Sequence, residues 1–344
     1  MGKKVLAITM VGCLMVLLCA CKKTTVNQEK NSIIIGVTLY DQYDAFLAQM
    51  MDSFETYAEE LEEETGVSIT VEIYNAAASQ STQNEQVEEM IEKNFDVICV
   101  NLVDRTDPSS IIDAAEKANV PVVFFNRELV EEDLQRWSEL YYVGATALES
   151  GIMEGELAAE YCKNHPEVDK NGDGVIQYVV LEGEAGHQDA IVRTEYSIST
   201  IQDAGIALEK VDNAIANWDR DQAKTRTLKL VEQYKSIELY ICNNDAMALG
   251  VIDAYESLGY DEKKYPAIFG IDGIDEGLLA VENETMMATV YNDKEGQADA
   301  MLKLAYRLAK KESVSDLDLV DGKYIRLPYA KVDKENVEDY LTRE

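Results

Sequence analysis

Short β-branched apolar runs alternate with helix-period segments along most of the chain, and no other feature constrains the fold as much. The runs are Ile33 to Val37, Val67 to Ile73, Val97 to Leu102, Val120 to Phe125, Gln177 to Leu181, Glu238 to Cys242, Ala267 to Ile271 and Met287 to Val290. Between them lie Phe46 to Glu64, Gln83 to Lys93, Leu148 to Tyr161, Gln222 to Tyr234 and Ala246 to Leu258, each with helical spacing of apolar residues. Runs that are apolar throughout, joined by crossover helices, mark parallel strands covered on both faces. The pattern predicts an α/β fold. Eight or more strands in 344 residues suit two doubly wound, Rossmann-like lobes better than one, each long enough to bury its own core.

The first residues read as a targeting segment rather than part of that fold. Lys3 and Lys4 precede the apolar stretch Val5 to Ala20, which is shorter than the roughly 20 residues a comfortable membrane span needs. It ends in Leu18-Cys19-Ala20-Cys21, which resembles the lipobox of bacterial lipoproteins; an ordinary signal peptide cut after Ala20 is the alternative. Residues 1–20 are then a signal peptide and 21–32 a polar leash. Lipid on Cys21 would tether the protein to the outer face of the cell membrane. Cys99, Cys162 and Cys242 remain in the folded part as core thiols without metal-ligand spacing. With 65 acidic against 31 basic side chains the formal net charge is −34. Such a surface repels nucleic acid and anionic lipid, so membrane contact is expected only through the anchor.

Asp169 to Gln177 reads D-x-N-x-D-G-x-I-x, three quarters of an EF-hand calcium loop. Asp169, Asn171, Asp173 and Gln177 supply side-chain oxygens at positions 1, 3, 5 and 9. Val175 offers its carbonyl at position 7, and Gly174 allows the sharp turn. The bidentate glutamate of position 12 is missing: Val180 stands there, inside a strand-like run. The last carboxylate must therefore come from elsewhere in the fold. A plain Asn/Asp/Gly turn is the bland alternative, which four oxygens in register make the weaker reading.

Ligands of open α/β sheets sit at the carboxyl ends of strands. Those positions here carry Asp44 and Phe46, Asn126 with Arg127, His187 and Asp189, Trp218, Asn244, Asp272 and Asn292. The set is rich in Asp, Asn, Arg and aromatic residues and poor in nucleophile–base pairs. Asp accepts, Arg donates and Asn does both, which suits hydroxyls, while an aromatic plate suits the apolar face of a sugar ring. Taken singly each residue has a bland reading: Asp189 and Arg193 could be a helix surface pair, and Phe46 and Trp218 could be core.

The ordered motifs D-x-F, V-P-V-V-F-F-N, Y-Y-V-G, D-x-N-x-D-G-x-I-Q, G-H-x-D-A-x-x-R, W-D, N-N-D-A-M-A-x-G, F-G-x-D and N-D resemble the galactose/glucose-binding proteins, the periplasmic receptors of bacterial ABC sugar transporters. The resemblance runs from about Ile33 to the C-terminus. It implies that Asp44, Asn126, His187, Asp189, Arg193, Asn244, Asp272 and Asn292 hydrogen-bond a sugar, with Phe46 and Trp218 on its two faces. It also implies that Glu238 is the remote calcium ligand. The implied architecture is the type I periplasmic-binding-protein fold with a three-segment hinge. One lobe holds 33–143 and 294–327, the other 144–293 and 328–344. The implied activity is capture of D-galactose or D-glucose by a monomeric lipoprotein that delivers it to an ABC permease, with structural Ca²⁺ and no catalysis. A lipoprotein that only reports sugar to a membrane sensor would have the same sequence. A carbohydrate-active enzyme is disfavoured by two histidines and by the lack of G-x-S-x-G, H-E-x-x-H or P-loop motifs.

Overall fold

The computed structural model describes residues 31–341. The signal segment and Cys21 lie outside the described residues. The chain opens with β1 (Ser32–Leu39), α1 (Ala45–Thr65), β2 (Ser68–Asn75), α2 (Gln80–Glu92), β3 (Val97–Val100), α3 (Ser109–Ala118), β4 (Val122–Phe125), α4 (Glu131–Leu134) and β5 (Leu140–Gly144). It continues with α5 (Ala147–Asn164), β6 (Ile176–Glu182), α6 (Gln188–Asp203), β7 (Leu208–Ile215), α7 (Arg220–Gln233), β8 (Leu239–Cys242), α8 (Asp245–Ser257), β9 (Ala267–Asp272), α9 (Asp275–Glu282) and β10 (Ala288–Asn292). It closes with α10 (Lys294–Lys310), β11 (Tyr324–Arg326), β12 (Tyr329–Asp333) and α11 (Glu338–Leu341).

Two six-stranded sheets result, one per lobe. The first runs β2-β1-β3-β4-β5-β11, parallel throughout. The second repeats that order as β7-β6-β8-β9-β10-β12, with β12 antiparallel to β10. The chain passes between the lobes after β5, between β10 and α10, and between β11 and β12. In each sheet the strand order reverses at the first-formed strand, so the loops after β1 and after β6 flank a crevice where a ligand can reach backbone and side chains together.

Helix α1 shows why these segments fold as they do. Asp44 caps it, its Oδ1 accepting from the Leu47 amide at 3.0 Å, and Gly66 ends it in the left-handed conformation at φ 67. Its buried face, Phe46, Leu47, Met50, Met51, Phe54 and Ala58, recurs at helical spacing and packs against the sheet and α10. In the other lobe Gly151 and Gly155 let α5 lie against α6: a Cβ on Gly155 would stand 2.6 Å from the Ser197 carbonyl oxygen. Between those glycines Glu154 points inward, fully buried, and neither carboxyl oxygen has a hydrogen-bond partner. Burial drives its pKa well above the usual carboxylate value, tempered by the Arg193 charge. Cys99, Cys162 and Cys242 are free and buried.

Four strands fall outside the apolar runs of the sequence. β7, Leu-Glu-Lys-Val-Asp-Asn-Ala-Ile, is an edge strand without a buried position, its residues half-buried or exposed. β5 is aromatic rather than β-branched, and its partner β11 is three residues long. β12 pairs antiparallel at an edge. Among the described residues no helix is long and apolar enough to cross a membrane.

Candidate functional site

A crevice opens between the carboxyl ends of the two sheets. Its walls are Tyr40, Asp44, Phe46, Asn126 and Arg127 from one lobe and His187, Asp189, Arg193, Trp218, Asn244 and Asp272 from the other. Nine of the ten side chains that the sequence proposes as ligands thus share one cavity. Asn292 is the exception. It ends β10, buried behind the wall, where its Oδ1 accepts from Gln297 Nε2 at 2.7 Å and its side chain meets Asp272. Through that contact it also holds the Asp272 carboxylate that lines the cavity.

Helix starts place several of these groups. Asp44 caps α1 and accepts a second bond from Tyr40 Oη at 2.8 Å. Asn244 caps α8 through the Met247 amide at 3.0 Å and donates to the Trp218 carbonyl at 3.2 Å. His187 caps α6: its Nδ1 accepts from the Asp189 amide at 3.1 Å, which puts the ring proton on Nε2. Nε2 is buried without a partner, a spare donor in the cavity wall. Burial, aided by the Arg127 charge, pulls this imidazole down to about 3, so it is neutral at physiological pH.

Arg193 reaches across the floor of the crevice. Its Nη1 donates to the Asn243 carbonyl at 2.7 Å and lies 3.7 Å from Asp272 Oδ1, and Nη2 donates to Tyr329 Oη at 3.2 Å. Nε has no partner. Burial pushes the Asp189 and Asp272 carboxyls upward, against the pull of Arg193. The Trp218 ring meets His187 edge-on, centroids 5.3 Å apart at 81°. Gly183 makes room for it, because a Cβ there would stand 2.1 Å from Trp218 Cζ2. Asn217 and Trp218 both take positive φ, 52° and 63°, in the turn that leads out of β7.

One wall residue, Tyr40, is not marked in the sequence, and Arg127 is marked only by its place at a strand end. Tyr40 lies just beyond the apolar run Ile33 to Val37. Arg127 stands beside Asn126 but gives no local sign of its partners. Its guanidinium lies 3.4 Å over the Tyr40 ring, and Nη2 pairs with Glu184 Oε1 of the other lobe at 3.1 Å. A second link between lobes runs from the Asp275 amide to Gln49 Oε1 at 3.2 Å. Asn101, also at a strand end, lies behind the wall, its Nδ2 donating to Asn126 Oδ1 at 3.1 Å.

The loop 169–177 lies at the opposite end of β6. Asp169 gathers the amides of Gly172, Asp173 and Gly174, Asn171 Oδ1 accepts from the Asp173 amide, and Asp173 Oδ1 accepts from that of Val175. Gly172 and Gly174, at φ 74 and 82, make the turn. Glu238 enters from the start of β8, fully buried, and its oxygens accept from the Lys170, Asn171 and Gln177 amides at 2.8 to 3.2 Å. The sequence-distant carboxylate is therefore at the loop. Among the described residues no group of three or more His, Cys, Asp or Glu side chains stands ready to hold a metal. The donor set is instead mixed: three carboxylates, the amides of Asn171 and Gln177, and the Val175 carbonyl. Hard oxygen donors of this kind fit Ca²⁺.

The duplicated parallel sheets, the crossings between them and a polar crevice at their facing ends define a two-lobed solute receptor. The chain belongs to the periplasmic binding protein family, whose domain model matches residues 35–313. It is 36% identical over 314 residues to the D-galactose/methyl-galactoside binding periplasmic protein MglB of Haemophilus influenzae, covering 89% of this chain and 91% of that one. It is 27% identical to the xylitol-binding protein of Mycolicibacterium smegmatis, covering 90% and 82%. Among solved structures it is similar to an ABC transporter solute binding protein of Bacillus halodurans C-125 with bound myo-inositol, at 26% identity and TM-score 0.76, covering 92% of this chain and 100% of that one.

Proposed function

We propose that this protein captures D-galactose or D-glucose between its lobes and delivers it to an ABC permease. One observation carries the reading: acids, amides, a neutral histidine and Arg193 from both lobes converge with Phe46 and Trp218 on one cavity. Spare donors at His187 Nε2 and Arg193 Nε suit hydroxyl oxygens, and the carboxylates suit hydroxyl protons. The likeness to the Haemophilus influenzae galactoside-binding protein supports the same ligand. Membership of an extracytoplasmic receptor family supports the transport role and a place outside the cytoplasm. Binding rather than catalysis is favoured because His187 is held far below the range useful to a general base at neutral pH.

Calorimetry against a panel of sugars tests this. Glucose and galactose should bind tightly. An analogue that lacks a matched hydroxyl should lose several kcal/mol, roughly the cost of stranding buried polar partners. Equal affinity for ribose or maltose would refute the assignment.

Two further parts of the reading stand with it. Asp169, Asn171, Asp173, the Val175 carbonyl, Gln177 and Glu238 would hold one Ca²⁺, which would tie the loop before β6 to the start of β8. Lipid on Cys21 would anchor the protein to the outer face of the membrane. Replacing Cys21 by alanine should then release it from the membrane fraction.

A further inference from the structure

Asp272 holds an unusual backbone conformation. It ends β9 at φ 126, in a region that residues other than glycine rarely enter, and Gly273 follows at φ 66. Such a conformation persists only when its surroundings enforce it. The enforcement comes from Asp245, the first residue of α8, which is fully buried and does not line the crevice. Its Oδ2 accepts from the amides of Gly273 at 2.7 Å and Ile274 at 3.1 Å, the two residues that follow Asp272. Its Oδ1 accepts from Thr289 Oγ1 on β10 at 2.6 Å. On the other side of the turn Lys294 Nζ donates to the Gly273 carbonyl at 3.2 Å. Space around the carboxylate exists only because its neighbours are glycines: a Cβ on Gly270 would stand 2.3 Å from Oδ1, and one on Gly277 2.4 Å from Oδ2.

We infer that Asp245 is a positioning residue for ligand capture, fixing the turn that aims the Asp272 carboxylate into the crevice. The inference rests on the reading of that crevice as a hexose site. Burial pushes the Asp245 carboxyl up to about 6, and its bonds to Thr289, Gly273 and Ile274 together with the Lys294 charge pull the other way. The group is therefore still mainly ionised at neutral pH, a full acceptor for three donors. Asn244, which precedes it, lines the crevice independently, so the route through Asp272 has to be separated from a route through Asn244.

A double-mutant cycle does this. Glucose and galactose affinities are measured by calorimetry at pH 7.5 for the wild type, Asp245→Asn, Asp245→Ala, Asp272→Ala and Asp245→Ala/Asp272→Ala, with thermal unfolding of each as a check on folding. Asparagine can accept from both turn amides through Oδ1 and donate to Thr289 through Nδ2, so it should stay within about threefold of wild type. Alanine at 245 should weaken binding at least tenfold. The double variant should be no more than about threefold weaker than Asp272→Ala alone, since residues acting through one another are non-additive. If Asp245→Ala does not fold, Asp245→Ser takes its place in the same cycle. Additive losses, or wild-type affinity in Asp245→Ala, would overturn the inference while leaving the hexose reading intact. Absence of hexose binding by the wild type would instead remove that reading, and this inference with it.

Discussion

Replacing Glu154 by glutamine should stabilise this protein, and the gain should grow with pH. Glu154 sits fully buried between Gly151 and Gly155 where α5 meets α6, with no hydrogen bond to either oxygen. An unfolded chain releases its proton near the ordinary value of 4.5, whereas burial makes the folded chain keep it. Because the folded pKa is the higher one, the group's full stability is present below about 4.5 and is lost as pH rises toward the folded value. At pH 7.5 the gap from 4.5 is three units, which at about 1.4 kcal/mol per unit sets a ceiling of about 4 kcal/mol. The Arg193 charge lowers that penalty, so the gain is expected to stay below this ceiling. Glutamine has the shape of the protonated acid and does not titrate. For a chain of 344 residues the ceiling corresponds to about 6 °C in melting temperature. Melts of both proteins at pH 5, 6.5 and 8 decide the matter. The curves should nearly coincide at pH 5 and separate at pH 8, with the glutamine form higher. A glutamine form less stable than wild type at pH 8 would refute the argument, because it would mean an ionised Glu154 paired with Arg193.

Chelation should lower the melting temperature, since an ion bound only by the folded state stabilises it, and Glu238→Gln should blunt that response; an unchanged melt would remove the calcium assignment. Gly183→Ala should displace the Trp218 ring and weaken hexose binding at least tenfold, and a variant that bound like wild type would show that the ring position does not matter. His187 stays neutral down to about 3 against an ordinary 6.5, so its stabilising contribution is full above 6.5 and declines as pH falls through that window. The stability of His187→Gln relative to wild type should accordingly rise by up to about 2 kcal/mol between pH 7 and 5, and a flat difference would contradict it. Glucose should quench or shift Trp218 fluorescence and reduce the radius of gyration as the lobes close, and tight binding at constant radius would exclude closure.

The two-lobe architecture was legible because buried parallel strands are apolar on both faces and leave short runs between crossover helices. β7 escaped that test for a physical reason: at a sheet edge it is never fully covered, and Glu209, Lys210, Asp212 and Asn213 interrupt its apolar residues. β11 and β12 are too short to show any period. In the crevice, side chains such as Asp44, His187 and Asn244 could be picked out because a polar residue at a strand end or helix cap is locally conspicuous. Tyr40 could not, and Arg127 showed its place at a strand end but not its partners, since their roles depend on each other and on Glu184, which the fold brings in from the other lobe. Asn292 stands beside Asp272 without being among the cavity's lining residues. Asp245 looked like one more acid in a helix's first turn; its partners at Gly273, Ile274 and Thr289 come from the turn after β9 and from β10.

The Arg127–Glu184 pair bears on time as well as on shape. It joins the lobes next to the crevice, with Arg127 buried against the Tyr40 ring and Glu184 one-third exposed. Parting the lobes breaks this pair and the Gln49–Asp275 link together. Interactions that must be broken on exit act on dissociation more than on encounter. The pair thus works as a clasp on residence time, one whose grip loosens with ionic strength because its acidic half faces solvent. A receptor that must both retain its cargo and release it has use for a fastening of that modest strength.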